Sequence, residues 1–237
     1  MKNVAIVLAG GSGSRMKSKI KKQYRMLGDY PVLWYSLQAF QSCTLIDEIV
    51  LVCGSGEKEQ CREQFAEHYG FSKIRKIVEG GRERTDSVYE GLKAIENCDY
   101  VLIHDGARPF VDEAILNRVF EALSDNPACV VGMPVKDTIK QGNPEEYVEK
   151  TIPREKLWTI QTPQAFSYAL IRRGYDELFQ KEYPKISITD DSMVAECFLR
   201  IPVKLVEGDY SNIKITTPED LDYAETLLRR RMRSLHH

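Results

Sequence analysis

The chain has 237 residues, with 33 Lys and Arg against 35 Asp and Glu, a net charge of −2 and 43% hydrophobic residues. This is an ordinary globular composition, large enough to bury a substantial core; its near-zero charge argues against bulk electrostatic binding, so no nucleic-acid partner is expected. No run approaches about 18 apolar residues, so no membrane-spanning helix is expected, and the six cysteines lack zinc-ligand spacing and read as reduced thiols, which points to the cytoplasm.

The first apolar run, Val4–Leu8, leads into glycines rather than a cleavage site, so it reads as a strand and not a signal peptide. Similar Val- and Ile-rich runs follow at Ile49–Val52, Ile74–Val78, Tyr100–Ile103 and Cys129–Val131, as expected of strands covered on both faces. Helical periods lie between them. Pro31 opens one helix, with Leu33, Leu37 and Phe40 on a face. Glu57–Tyr69 is a second. Thr85–Ile95 and Asp112–Leu123 carry apolar residues at helical spacing. This order predicts an α/β fold, Rossmann-like, with a mostly parallel sheet and helices on both faces. No linker interrupts it, so one domain is expected over residues 1–237.

After Pro134 the pattern changes. Thr138–Lys140, a turn at QGNPEE and Tyr147–Ile152 predict a β-hairpin. Few of its residues are apolar, so it should project as an arm over about 137–155. Helices follow near Ser167–Gln180 and Asp190–Cys197, then a strand at Pro202–Glu207. The last helix takes Thr217 as N-cap and Pro218 as its first residue. Its terminal Arg229, Arg230, Arg231 and Arg233 suit the negative end of a helix dipole, or a phosphate patch.

The segment Leu8-Ala9-Gly10-Gly11-Ser12-Gly13-Ser14-Arg15-Met16 directly follows the first strand. Its glycines allow positive φ and close approach of a ligand. Successive N–H groups there can cradle an anion. The dinucleotide fingerprint fails, because Met16 stands where its third glycine belongs, and no Walker Gly-Lys-Ser/Thr follows. A tight structural turn is the plain alternative. However, Arg15, Lys17, Lys19, Lys21 and Lys22 follow with no acid among them, which points to a polyphosphate ligand. Asp105 ends the fourth predicted strand, where an open sheet gathers its ligands. It suits a hydroxyl, Mg2+ or the capping of a turn. His104, one residue earlier, should face the other way and be structural.

LAGGSGSRM followed by KKQY (Lys21–Tyr24) resembles nucleotidyltransferases that join a nucleoside triphosphate to a sugar or polyol phosphate. Further motifs follow in order: EGGRERTDSV (Glu79–Val88), HDGARPF (His104–Phe110), VKDTIK (Val135–Lys140), QTPQAF (Gln161–Phe166), ITDD (Ile188–Asp191) and NIKITTPEDL (Asn212–Leu221). Across residues 4–228 the set is similar to the 2-C-methyl-D-erythritol 4-phosphate cytidylyltransferase family of non-mevalonate isoprenoid synthesis. The resemblance implies a single nucleotidyltransferase domain that uses CTP, a polyol phosphate and Mg2+ or another divalent cation. It implies catalytic roles for Arg15 and Lys22. It implies nucleotide binding by Leu8, Ala9, Gly10, Gly11, Gly13, Gly81 and Ser87. The polyol phosphate would be positioned by Arg154, Lys214, Thr138 and Thr189, with Asp105 and Arg108 beside them; Arg108 would bond Asp105 or phosphate. The arm would deliver Arg154 to a second subunit, giving a homodimer.

Two departures stand out. Many relatives have Pro at Lys21, so an extra cation there is expected to crowd or loosen the loop presenting Lys22. Some carry Asp at Arg82, which puts a base contact there in doubt. The rival readings are a ribitol-5-phosphate cytidylyltransferase, whose members often carry Ser at Gly106, and an inactive CTP-binding regulatory protein.

Overall fold

The computed structural model describes residues 1–11, 21–180 and 187–234. The first apolar run forms β1 (Asn3–Leu8). A small antiparallel pair follows, β2 (Met26–Leu27) and β3 (Tyr30–Pro31). Pro31 then caps α1 (Val32–Ser42), which buries Leu33, Leu37 and Phe40 as their spacing predicts. Next come β4 (Glu48–Cys53) and α2 (Lys58–Cys61), which runs on as a π-helical stretch over Arg62–His68. Then β5 (Ile74–Glu79), α3 (Arg84–Ala94) and β6 (Tyr100–Asp105) alternate. The Asp112 side chain accepts from the Ile115 N–H at 2.9 Å and so starts α4 (Glu113–Asp125). After β7 (Ala128–Pro134), the hairpin forms as β8 (Ile139–Gly142) and β9 (Val148–Ile152). The chain ends with β10 (Trp158–Ser167), α5 (Tyr168–Gln180), α6 (Asp191–Leu199), β11 (Lys204–Glu207) and α7 (Pro218–Ser234).

Among the described residues a seven-stranded sheet has the order β11-β7-β10-β6-β1-β4-β5. β1 runs parallel to β4 and β6, β4 to β5, and β7 to β11. The exception is β10, which lies antiparallel between β6 and β7. Sequence reading takes its Gln161–Phe166 only as a motif, because Gln161, Thr162, Pro163 and Gln164 hide the strand. The ladder is irregular between Ile160 and Gln164, which is where Pro163 is tolerated. Another expectation fails at β5. It is an edge strand and exposes Arg75, Lys76 and Glu79 beside the buried Ile77, so it is not fully covered on both faces.

Alternation along the strands feeds a core on each face of the sheet. Ala5 and Val7 of β1 join Leu51, Leu102 and the buried residues of α1 and α4. Val4 and Ile6 join Val50, Val52, Val101, Ile103 and the buried residues of α3, α5 and α6. The hairpin pairs only with itself, and its Tyr147 and Val148 are 73% and 62% exposed. No helix of the described residues is long and apolar enough to cross a membrane.

Candidate active site

In the parallel part of the sheet, register brings Leu8 of β1 level with Val52 of β4 and Asp105 of β6. Their carboxyl ends open on a cavity of about 330 Å³. It gathers Leu8, Ala9, Gly10, Gly11, Lys22, Gly81, Ser87, Asp105 and Lys214, all singled out from sequence. A second cavity of about 330 Å³ shares Arg84, Asp105 and Lys214 with the first and adds Arg108 and Thr189. Thr138 and Arg154 line neither cavity; Arg154 lies at the base of the hairpin and donates to the Lys136 carbonyl at 2.5 Å. Gly13, Arg15, Lys17 and Lys19 lie outside the described residues.

The glycine turn extends the sheet, with the Ala9 N–H donating to the Val52 carbonyl at 2.7 Å. A Cβ at Gly10 would lie 3.1 Å from the Cys53 carbonyl oxygen, while one at Gly11 would meet nothing within 4 Å among the described residues. At Gly10 the backbone is thus pressed against β4, and both glycines line the cavity. Gln23, which sequence reasoning missed, braces this turn. Its amide donates to the Ala9 carbonyl and, at 3.3 Å, to that of Gly11. Only its place in KKQY could have flagged it. Across the cavity α3 begins, presenting Glu83, Arg84 and Ser87. The positive end of a helix dipole therefore faces the space. The Ser87 hydroxyl donates to the Glu83 carbonyl at 3.0 Å, which leaves its oxygen able to accept.

Between the two cavities stands a charge network. Arg84 places Nε 3.1 Å from Asp105 Oδ1 and forks Nη1 and Nη2 onto Asp191 at 2.9 and 2.7 Å. Lys214 Nζ holds the other Asp105 oxygen at 2.7 Å. Asp191 is fully buried and also accepts from the Tyr175 hydroxyl at 2.6 Å. Burial alone would raise the Asp105 pKa, but Arg84 and Lys214 outweigh it and hold the carboxyl well below the usual range. Burial opposes the Arg84 charge too, and Asp191 and Asp105 more than restore it. Sequence reasoning left Arg84 and Asp191 without roles, although both sit in quoted motifs. A buried acid has no local signature, and its partner lies 107 residues away.

The structure shows the partners of three of these residues. Each oxygen of Asp105 takes a cation. Arg108 does not bond Asp105. It donates to the carbonyls of Asn212 at 2.8 Å and Ile160 at 3.4 Å, and its buried Nε has no partner among the described residues. Lys21 places its Nζ 2.6 Å from Glu57 Oε1 and is not among the residues lining the cavity; the loop before it lies outside the described residues. Arg82 does line the cavity, as an exposed side chain.

His104 is structural, as expected. It is fully buried, on the opposite face from Asp105, against Phe40. Nε2 lies 3.1 Å from the Arg108 carbonyl, so it must carry the proton. Nδ1 then accepts from the Thr162 hydroxyl at 3.0 Å, and the same hydroxyl accepts from the Asp105 N–H at 3.1 Å. The chain needs a neutral ring. Burial pushes the His104 pKa from 6.5 down to about 4, with only partial relief from Asp105. Between those values an unfolded chain binds a proton that the folded one refuses. Stability is therefore full above about pH 6.5 and should fall by about 3 kcal/mol as the pH drops to 4. Urea midpoints over that range check this, with His104→Gln expected to give a flatter slope.

The family model described as 2-C-methyl-D-erythritol 4-phosphate cytidylyltransferase matches residues 3–230. The chain is 48% identical over 228 residues to the protein of that name from Lachnoclostridium phytofermentans, covering 96% of this chain and 97% of that one. It is 47% identical over 227 residues to the one from Lachnospira eligens, covering 96% and 99%. The solved structure of 4-diphosphocytidyl-2C-methyl-D-erythritol synthase from Anaerococcus prevotii has a TM-score of 0.84 at 37% identity, covering 96% of each chain. The Thermus thermophilus 2-C-methyl-D-erythritol 4-phosphate cytidylyltransferase structure has 0.76 at 31%, covering 94% of this chain and 98% of that one. Matches of this extent make the chain a member of the 2-C-methyl-D-erythritol 4-phosphate cytidylyltransferase family.

Proposed function

We propose that this protein transfers CMP from CTP to 2-C-methyl-D-erythritol 4-phosphate and releases pyrophosphate, in non-mevalonate isoprenoid precursor synthesis. The observation that carries this is a pair of neighbouring cavities. One has a backbone wall suited to a nucleotide, the other adds Arg108 and Thr189 with Asp190 beside them, and Arg84, Asp105 and Lys214 belong to both.

The acceptor is a phosphate monoester, whose second pKa is about 6, so it is mostly dianionic at neutral pH. It needs no general base. One of its oxygens attacks the α-phosphorus of CTP, the bond from that phosphorus to the bridging oxygen breaks, and pyrophosphate departs. The protein's task is to hold two mutually repelling anions in line and to neutralise charge on the phosphates. Leu8, Ala9, Gly10, Gly11, Gly13, Gly81 and Ser87 hold the nucleotide in this reading. Arg15 and Lys22 act on the triphosphate. Lys214, Thr189 and Arg108, which line the second cavity, receive the acceptor phosphate. Asp105 keeps Lys214 and Arg84 in place.

A divalent cation belongs to this reading. The described residues contain no group of three or more His, Cys, Asp or Glu that could hold one. Mg2+ commonly binds through substrate phosphates and few carboxylates, so we place it on the triphosphate and assign no protein ligand. Turnover should stop in EDTA and return with added Mg2+. The cytoplasm is the proposed compartment, in keeping with six free cysteines.

The arm suits a two-fold dimer with shared sites. Arg154 and Thr138 line neither of the two site cavities of their own chain, and the hairpin exposes apolar residues at its tip. Mixing Lys22→Ala and Arg154→Ala chains should then restore about one quarter of wild-type activity, the share of intact sites after random exchange in a C2 dimer. No recovery would mean that sites are not shared. The function itself is tested by pyrophosphate release with CTP, ATP, GTP and UTP against methylerythritol phosphate and ribitol phosphate. Turnover is expected with CTP and methylerythritol phosphate; turnover with ribitol phosphate alone would overturn the reading.

A further inference from the structure

Lys21 and Tyr24 bracket the cavity-lining pair Lys22 and Gln23. Both bracket residues are held by one carboxylate. Glu57 Oε1 lies 2.6 Å from Lys21 Nζ, and Oε2 accepts from the Tyr24 hydroxyl at 3.0 Å. Oε2 also accepts from the Gly54 N–H at 3.0 Å, which ties the carboxylate to the turn leaving β4. The Tyr24 N–H donates to the Lys21 carbonyl at 3.0 Å and closes the bracketed turn. Gly54 leaves the room required, since a Cβ there would overlap Lys21 Nζ and Glu57 Oε2. Glu57 is mostly shielded, with 16% of its side chain exposed, and it lines neither cavity.

We infer that Glu57 is a positioning residue for Lys22, and that the Lys21 ammonium serves placement rather than phosphate binding. This rests on the role given to Lys22 above. A segment held at one end can pivot, while one held at both ends fixes the backbone from which Lys22 projects. The geometry matters because displacement of about 1 Å at a catalytic group can cost about 10²-fold in rate.

The test is a double-mutant cycle read as kcat and KM. Glu57→Gln keeps an accepting oxygen but loses the charge that holds Lys21. It should lower kcat about 10-fold and leave KM for methylerythritol phosphate within about twofold. In a Lys22→Ala background the same change should cost less than about twofold, because there is no ammonium left to place. Equal losses in both backgrounds would mark Glu57 as merely structural and overturn the inference, as would an unchanged kcat in Glu57→Gln. Should Glu57→Gln fail to fold, Lys21→Met replaces it in the cycle and is judged by the same comparison. Full activity in Lys22→Ala alone would instead overturn the role of Lys22, and the positioning role with it. A crippled Lys22→Ala beside a fully active Glu57→Gln would remove only the positioning role.

Discussion

Replacing Lys22 with alanine should lower kcat by about 10²–10³, the usual scale for losing one preorganised charge-stabilising group. Lys22 lies on the wall of the nucleotide cavity, opposite the start of α3. In the proposed reaction negative charge shifts onto the departing pyrophosphate as its bond to the α-phosphorus breaks. A fixed ammonium there favours the transition state over bound CTP. Binding should suffer less, because the backbone of Leu8–Gly11 and its Gln23 brace are untouched. The expected signature is therefore a large fall in kcat with a change of only a few-fold in KM for CTP. Steady-state pyrophosphate release measures both. A proportionate rise in KM with kcat preserved would place Lys22 in ground-state binding instead. Arg154→Lys should also impair turnover, since an ammonium cannot replace the two-pronged grip of a guanidinium on phosphate.

Asp191→Ala should be the most damaging of these changes for stability. The side chain is fully buried and takes both terminal nitrogens of Arg84 as well as the Tyr175 hydroxyl. Removing one partner of a buried pair leaves the other charge uncompensated, at about 3–5 kcal/mol. Arg84 retains Asp105 through Nε, so about 3 kcal/mol is expected. The urea midpoint should fall accordingly with an unchanged slope. Activity should fall as well, because a loosened Arg84 no longer braces Asp105 against Lys214. A midpoint within experimental error of wild type would show that Asp191 does not carry this load.

Asp191 and the acid before it illustrate how the site could be read from the chain. Asp190 and Asp191 are neighbours in ITDD. Asp190 behaves as a helix cap, accepting from the Met193 N–H at 3.0 Å, a contact within three residues, although its other oxygen also accepts from Gln164. Asp191 acts at long range on Arg84, and no spacing rule predicts that. Likewise the two neighbours Lys21 and Lys22 look alike in sequence. The fold sends one to Glu57 and the other to the cavity.

What the chain declares by itself is what short-range physics governs. Val- and Ile-rich runs specify buried strands, periodic apolar residues specify helix faces, and Asp112 and Asp190 start helices by capping N–H groups within three residues. The glycine turn after β1 and the projecting hairpin are legible for the same reason. Tertiary structure alone decides that β10 enters the sheet against its neighbours, because its polar residues are tolerated only where distant groups satisfy them. Thr162 serves His104 and the Asp105 N–H, while Gln164 meets Asp190 and the Ser192 N–H. Charge pairing follows the same rule. A carboxylate binds whichever cation the packed chain brings within reach, and that distance is set by the fold rather than by separation along the sequence.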